Sequence, residues 1–382
     1  MAKLMRVTTV DRSLMTLLAG QLRYLNESGL DVVGVAADTG NMEHVRKAEG
    51  VRCVDVPMRR EIAPFQDLKS LRSMIRLIRR ERPDIVHANT PKGSLLSMMA
   101  AWFCRVPVRV YTVTGLRFET ATGLLRAILK TMERVTCRCA TAVVPEGDDV
   151  KAMLVREGIC KHPLDKIHNG NINGLDLEHF TPLPVPDATV PVTFVFVGRM
   201  THDKGVDELV EVFDEIDREG RAGDVRLLLV GPLEENLDPL APSTLATIRN
   251  NPHIEAVGFQ ADIRPWVRRS HVVVLPSHRE GFSNVPMQAG AMARPCIVTR
   301  VNGAAEVIDH GVSGLLVPVD DRDALKGAMI RLVGDASLRE SMGIEGRRLM
   351  EERFDRRDVW RALRQFYTRC LDGVESKRTS EH

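Results

Sequence analysis

No apolar run in the 382-residue chain is long enough to span a bilayer, and its first residues contain no signal-peptide core. The cytosol is therefore the expected compartment, and a helical membrane anchor is not expected. A disulfide framework is missing too. Seven cysteines, an odd number at scattered positions, fit reduced buried thiols. Cys137 and Cys139 lie two apart in a helical pattern and point to different sides, which argues against a metal pair. Short repeats and low-complexity segments are absent as well. What the chain does have is length for two ordinary domains and a soluble balance, 44% hydrophobic and 27% charged. Its net charge of +2 is unevenly divided: residues 1–185 carry 27 Lys+Arg against 20 Asp+Glu, the remainder 26 against 31. The basic half is the one to suspect of an anionic partner.

In order, strands alternate with helices. Residues 4–10 read as a strand, 14–28 as a helix that Gly29 closes, and 30–36 and 51–56 as further strands. A helix over 65–82 leads into strand 84–87, whose exit at 88–93 opens another helix, and strands 108–113 and 141–144 follow. Such alternation predicts a parallel, doubly wound sheet with ligand loops at the strand C-termini. Pro182, Pro184, Pro186 and Pro191 then break the pattern, as a linker between domains does. The alternation restarts at 192–197 and continues through 225–230, 254–257, 272–275, 295–299 and 314–317. A last amphipathic helix over 357–371 carries Trp360, Leu363, Phe366 and Tyr367 on one face. The expected domains are 1–180 and 190–355, with residues 356–382 packing back toward the first.

The most informative stretch is 277–292, Ser-His-Arg-Glu-Gly-Phe-Ser-Asn-Val-Pro-Met-Gln-Ala-Gly-Ala-Met. A continuous apolar strand ends at Pro276 and delivers Glu280 and Gly281 into a loop before a helix, with Asn284 suited to its cap and Pro286 to its first turn. Orphan N–H groups and the positive end of the helix dipole then face whatever lies beyond the strand, and a diphosphate suits them. Gln288 falls about one turn into that helix, so it and Glu280 can face one ligand. An ordinary strand-to-helix connection with an exposed Glu would read the same way. The exit of strand 192–197 is the counterpart: Gly198-Arg199-Met200-Thr201-His202-Asp203-Lys204-Gly205 combines a turn-forming glycine, a guanidinium fork and a compact ammonium. Such a set suits a diphosphate leaving group, although a Gly-Arg pair alone is common in loops.

Together these residues resemble the retaining glycosyltransferases of family 4, which have the α/β GT-B fold of two Rossmann-like domains facing each other across a cleft. Gly198-Arg199-Met200 with Lys204-Gly205 is similar to that family's Gly-Arg-Leu…Lys-Gly element, and Pro276 through Gln288 to its Glu-x7-Glu element. Residues 301–308 and 311–314 match the strand and loops that follow, and Asn169-Gly170-Asn171-Ile172-Asn173-Gly174-Leu175-Asp176 with Phe180 its hinge entry. The resemblance covers most of the chain. It implies that Arg199 and Lys204 hold the donor diphosphate, that Glu280 meets donor-sugar hydroxyls, and that backbone N–H groups of Gly281, Phe282, Ser283 and Asn284 meet sugar and phosphate oxygens. The family's second glutamate, which holds the ribose diol, is here Gln288, whose amide can still donate and accept. Where many relatives have His-Gly near the reacting carbon, this chain has Thr114-Gly115, and Arg117 could supply a polar contact instead. His87 ends a strand on the ligand edge and could contact acceptor or sugar, or serve as a core histidine. Ser13, with Asp11 and Arg12, occupies the first strand-to-helix turn, which lies near the diphosphate in the family but lacks its usual paired glycines here. Gly231-Pro232-Leu233-Glu234 and Gly258-Phe259 stand where the family places the nucleotide base; ordinary turns explain them as well.

The expected activity is transfer of a hexose from a nucleotide diphosphate sugar such as a UDP-sugar, with retention, to a glycan or lipid-linked acceptor in assembly of a capsule, exopolysaccharide or lipopolysaccharide. The first domain would bind acceptor and the second donor. No cofactor and no metal is expected, since the protein supplies the cations and no Asp-x-Asp cluster is placed to hold Mg²⁺. Nucleic acid is not an expected partner. Lys69, Arg72, Arg76, Arg79 and Arg80 stripe one side of a helix with Leu68, Leu71, Ile75 and Ile78 on another, so a solvated basic face or an anionic membrane surface is expected there, the latter on the inner face of the cytoplasmic membrane. Two alternatives stay open: a nucleotide-sugar epimerase of the same fold, and a degenerate partner subunit, which Gln288 and Thr114 keep alive.

Overall fold

The apolar runs sort into two sheets, each six-stranded and parallel throughout. They appear in a computed structural model that describes residues 1–59, 61, 63–119, 121–184, 191–220, 225–236, 238–301 and 303–380. Contacts divide the chain into one unit of Met1–Gly174 with Arg356–His382 and another of Leu175–Asp355.

The first unit runs β1 (Lys3–Val10), α1 (Asp11–Leu17), α2 (Gln21–Glu27), β2 (Asp31–Ala37), α3 (Met42–Glu49), β3 (Arg52–Asp55), α4 (Pro64–Glu81), β4 (Ile85–Ala88), α5 (Pro91–Phe103), β5 (Val108–Val113), α6 (Gly123–Cys139), β6 (Ala142–Pro145) and α7 (Asp148–Arg156). Strand order is β3-β2-β1-β4-β5-β6, so the winding reverses between β1 and β4. Parallel strands are buried on both faces, which is why they read as uninterrupted Val, Ile and Leu. Met5, Val7, Val86 and Tyr111 pack under α4 to α7, and Leu4, Val32, Val108 and Val110 under the helices of the opposite face.

The second unit runs β7 (Val192–Val197), α8 (Val206–Glu219), β8 (Val225–Val230), α9 (Pro242–Asn250), β9 (Ile254–Gly258), α10 (Arg264–Arg268), β10 (Val272–Leu275), α11 (Asn284–Ala291), β11 (Cys296–Thr299), β12 (Gly314–Val317), α12 (Arg322–Gly334) and α13 (Ala336–Arg353), in the order β12-β11-β10-β7-β8-β9. Here the reversal falls between β7 and β10. Asp321 and Asp335 cap α12 and α13, their carboxylates accepting from Ala324 and Leu338 N–H at 2.8 Å each. The chain then returns to the first unit as α14 (Arg356–Ser380), whose Leu363, Phe366 and Tyr367 complete that unit's core.

Three sequence expectations change. The helix over 14–28 is two helices, α1 and α2, broken before Gly20, where a Cβ would stand 2.8 Å from the Trp360 ring, so the chain must turn there without a side chain. The unit boundary falls at Gly174 rather than 180, because Leu175, Leu177 and Leu183 bury in the second unit's core. Buried Arg294 fastens the same segment, donating to the Pro184 carbonyl at 2.7 Å and the Ser270 carbonyl at 2.9 Å. Residues 185–190, with Pro186, lie outside the described residues. Finally, α4 turns Ile78 into the core and half-buries Leu71 and Ile75 against it, so its apolar face is already used.

Candidate active site

In a doubly wound sheet, the loops leaving the two strands at the reversal point diverge, and the crevice between them is where ligands bind. In the second unit those are the exits of β7 and β10. Their backbones touch: at Gly205 (φ +69°) a Cβ would lie 2.0 Å from the Pro276 carbonyl oxygen, and the His278 N–H donates to the Asp203 carbonyl at 2.9 Å. This contact brings Lys204 from one loop against Glu280 of the other. The ammonium donates to Glu280 Oε1 at 2.7 Å, the Ser277 hydroxyl donates to the same oxygen at 2.8 Å, and the two charged side chains are only 17% and 12% exposed. Thr299 of β11 fixes Ser277 in turn, donating to its carbonyl at 2.5 Å. Arg199, at the exit of β7, donates from Nη1 to Glu234 of the β8 exit at 3.0 Å and remains 45% exposed.

The helix following Glu280 begins at Asn284, and its N-cap is Ser283 rather than Asn284; the Ser283 side chain makes no capping bond. The positive end of a helix dipole attracts an anion. Gly281, Phe282, Ser283 and Asn284 form the approach to it, with Phe282 edge-on to Phe354 at 5.7 Å between centroids. Gln288 is half-buried, and its side chain has no partner among the described residues. Gly198 continues β7, donating its N–H to the Val230 carbonyl at 2.9 Å, and Gly258 ends β9 with its carbonyl bound by the Gly231 N–H at 2.9 Å. Phe259 beside it is 61% exposed.

Acidic groups surround the base of the β7 loop. His202 donates from Nδ1 to the Asp207 carboxylate at 2.9 Å, and this bond raises its pKa above the ordinary value despite some burial. His278 Nε2 lies 3.1 Å from Glu208 and 3.2 Å from Asp320, and these three are the one group of metal-ligand type among the described residues. The imidazole nitrogen itself sits between the two carboxylates.

The first unit's candidates fare unequally. Thr114 is half-buried, its hydroxyl donating to the Asn89 carbonyl at 3.0 Å, and Arg117 is exposed; both belong to the β5 exit. Ser13 is partly exposed in the first turn of α1. Its neighbour Asp11 is buried. Burial would raise the Asp11 pKa, but the Thr39 hydroxyl and the N–H groups of Thr39, Asn41 and Arg12 hold it down to about 2, so it fastens the β2 exit. His87 is corrected to a core residue: it is 1% exposed, with one ring nitrogen 2.5 Å from the Tyr367 hydroxyl and the other 2.7 Å from Thr112. Burial, and then the Arg6 cation, push its pKa well below the usual range, so it is neutral. Sequence reasoning gave no role to Ser277 and placed Glu234 beside the nucleotide base without its Arg199 partner, because nothing local marks a partner that arrives from another strand exit.

Residues 191–335 match the family described as "Glycosyl transferases group 1", and residues 16–170 the "Glycosyl transferase 4-like domain". The chain is similar to the capsular polysaccharide biosynthesis glycosyltransferase CapM of Staphylococcus aureus, at 32% identity over 98% of this chain and 99% of that protein. It is also 28% identical to the UDP-Gal:alpha-D-GlcNAc-diphosphoundecaprenol alpha-1,3-galactosyltransferase of Escherichia coli, over 76% of this chain and 77% of that one. Among solved structures, sucrose-phosphate synthase from Thermosynechococcus elongatus matches with a TM-score of 0.79 at 19% identity, covering 98% of this chain and all (100%) of that one.

Proposed function

The chain belongs to the GT-B glycosyltransferases, and on that premise we propose that it transfers a hexose from a UDP-sugar, with retention, to a lipid-linked glycan in assembly of a bacterial surface polysaccharide. The observation that carries this is the meeting of Lys204, Glu280 and the N-terminus of α11 at the reversal point of one sheet. Glu280 Oε1 is occupied by Lys204 and Ser277, which leaves Oε2 to accept from a sugar hydroxyl. Lys204 spends one N–H on Glu280 and has two more for phosphate oxygens. Charge grows on the diphosphate as the glycosidic bond breaks, and Lys204, Arg199 and the α11 dipole stabilise it where it develops. The departing phosphate then takes the proton of the attacking acceptor hydroxyl. Gln288 would hold the ribose diol, and Gly258 with Phe259 the base. Thr114, Arg117 and Ser13 would line the acceptor side.

The lipid-linked acceptor and the UDP-sugar are supported by the name of the Escherichia coli relative, and the surface polysaccharide by that of the Staphylococcus aureus one. The mechanism routes no step through a metal, since the cations are side chains. A panel of UDP-sugars screened by thermal shift, followed by transfer assays with the donor that stabilises best, tests the proposal; ligand at about 100 times its Kd adds roughly 2.7 kcal/mol. Stabilisation by no nucleotide sugar and by no free nucleotide would overturn it.

A further inference from the structure

Five of the large apolar side chains that the first unit leaves exposed stand at one end of it, while Trp102 and Phe103, each 56% exposed, close α5 at the other. Phe65 is 90% exposed in the first turn of α4, with Leu68 at 46%. Leu124 and Leu125 are 78% and 51% exposed in the first turn of α6, with Ile128 at 40% one turn later. Both helices pack on α5, which lies between them, and in a parallel sheet every such helix starts from the edge where the strands end. The two apolar tips therefore crown the same edge. Between them the start of α5 is recessed, with Lys92 and Ser94 buried and Lys92 held by Asp67 at 2.6 Å. Single exposed leucines are ordinary, but this many on two neighbouring helix ends form a patch.

Charge identifies what the patch meets. From Phe65 the outer stripe of α4 continues through Lys69, Arg72 and Arg76, all exposed and, among the described residues, without a carboxylate partner. Other cations of the same helix are engaged: Arg80 pairs with Glu81, and Arg79 lies over the Phe103 ring at 5.4 Å. Apolar tips flanked by unpaired cations match a surface that is anionic outside and apolar just beneath, which is an anionic bilayer.

We infer that this end of the first unit docks on an anionic lipid surface, with Phe65, Leu124 and Leu125 inserted at the headgroup boundary and Lys69, Arg72 and Arg76 against lipid phosphates. Contact is made by helix ends. The apolar side of α4 cannot serve, because the core already holds it. The docked edge is the one from which Thr114 and Arg117 project, so an acceptor carried in the membrane would meet them there; this purpose rests on the lipid-linked acceptor proposed above, whereas the docking rests on exposure and charge alone.

The test is co-sedimentation of the full chain with phosphatidylcholine vesicles, with and without about one third phosphatidylglycerol, alongside calorimetric titration with UDP. The parent should bind the anionic vesicles and release them as salt rises from about 0.05 to about 0.5 M. The triple variant Phe65→Ser, Leu124→Ser, Leu125→Ser should partition at least about tenfold less, given what a buried apolar side chain contributes. Lys69→Gln, Arg72→Gln and Arg76→Gln together should reduce binding by about fivefold per cation at low salt and have little effect at high salt. UDP binding should be unchanged in both variants, which shows that they fold. Failure of the parent to bind anionic vesicles, equal binding to neutral ones, or an apolar variant that binds as the parent does would overturn the docking. So would a parent dimer that the apolar variant converts to monomer, because a second copy would then be the occupant. Lost docking with UDP binding intact sinks this inference alone; docking without any nucleotide binding sinks the transferase proposal instead.

Discussion

Glu280 holds Lys204 through only one of its carboxylate oxygens, Oε1, while Oε2 has no partner among the described residues. A carboxylate fixed in this way is positioned before any ligand arrives, and so is the ammonium. Removing either partner leaves the other charge in a largely closed site, at a cost of roughly 1–3 kcal/mol in addition to any lost chemistry. Lys204→Ala should lower kcat by about 10²–10³-fold, as loss of one electrostatic stabiliser does. In a double-mutant cycle, Lys204→Ala with Glu280→Gln should cost less than the two singles added together. Additive losses would show that the pair does not act as a unit.

Gln288 decides between a working enzyme and a degenerate one. A neutral amide makes hydrogen bonds of roughly 0.5–1.5 kcal/mol where a carboxylate makes 1.5–3, so the amide weakens the donor by about tenfold without abolishing binding. Calorimetry with UDP should find Gln288→Ala weaker than the parent and Gln288→Glu similar or modestly tighter. Binding that appears only in Gln288→Glu would establish the degenerate subunit.

Gly205→Ala should separate the two donor loops, since its Cβ would stand 2.0 Å from the Pro276 carbonyl oxygen on a backbone with φ +69°. The strain alone is about 1–3 kcal/mol. UDP affinity and Tm should fall together. A variant with normal UDP binding would show that the loop contact is not needed.

Glu133 of α6 is the buried carboxyl to watch as pH changes. Burial pushes its pKa up to about 7, although the Tyr111 hydroxyl donates to it at 2.7 Å and works in the opposite sense. Below the unfolded value both states are protonated and nothing is lost; as pH rises toward 7 only the unfolded chain ionises, and stability drains away until the folded group ionises too. Glu133→Gln removes that loss, so at pH ~8 the variant should exceed the parent by roughly 2–3 kcal/mol more than it does at pH ~4. Denaturant melts at the two pH values measure the difference, and an equal effect at both would refute the buried ionisation.

Activity should survive EDTA, because each cation given a role at the diphosphate is a side chain. Loss of turnover restored by Mg²⁺ or Mn²⁺ would require revision of the mechanism, with Glu208, His278 and Asp320 the first residues to substitute.

What the sequence made legible was local. Val192–Val197 and Val272–Leu275 stand out because strands buried on both faces leave no polar interruption. Glu280 stood out because a carboxylate between a strand and a helix N-terminus is a local pattern. Partners across the sheet left no such mark: Lys204 and Glu280 are 76 residues apart, and Arg199 and Glu234 35 apart. His87 stays open between a ligand contact and a core residue for the same reason. Its position at a strand end indicates the ligand edge, but Tyr367, arriving 280 residues later, is what closes it off. The break at Gly20 was hidden likewise, because Trp360 comes from the far end of the chain.

The return of α14 to the first unit has a consequence for the order in which a ribosome can finish the molecule. Leu175–Asp355 is continuous, but Met1–Gly174 lacks Leu363, Phe366 and Tyr367 until the last helix emerges. At about 5–20 residues per second, the earlier-made half waits roughly ten to forty seconds for those side chains. The half synthesised second is therefore the first to be completed, and a chain stalled before Arg356 would carry one finished sheet and one with an apolar face still bare.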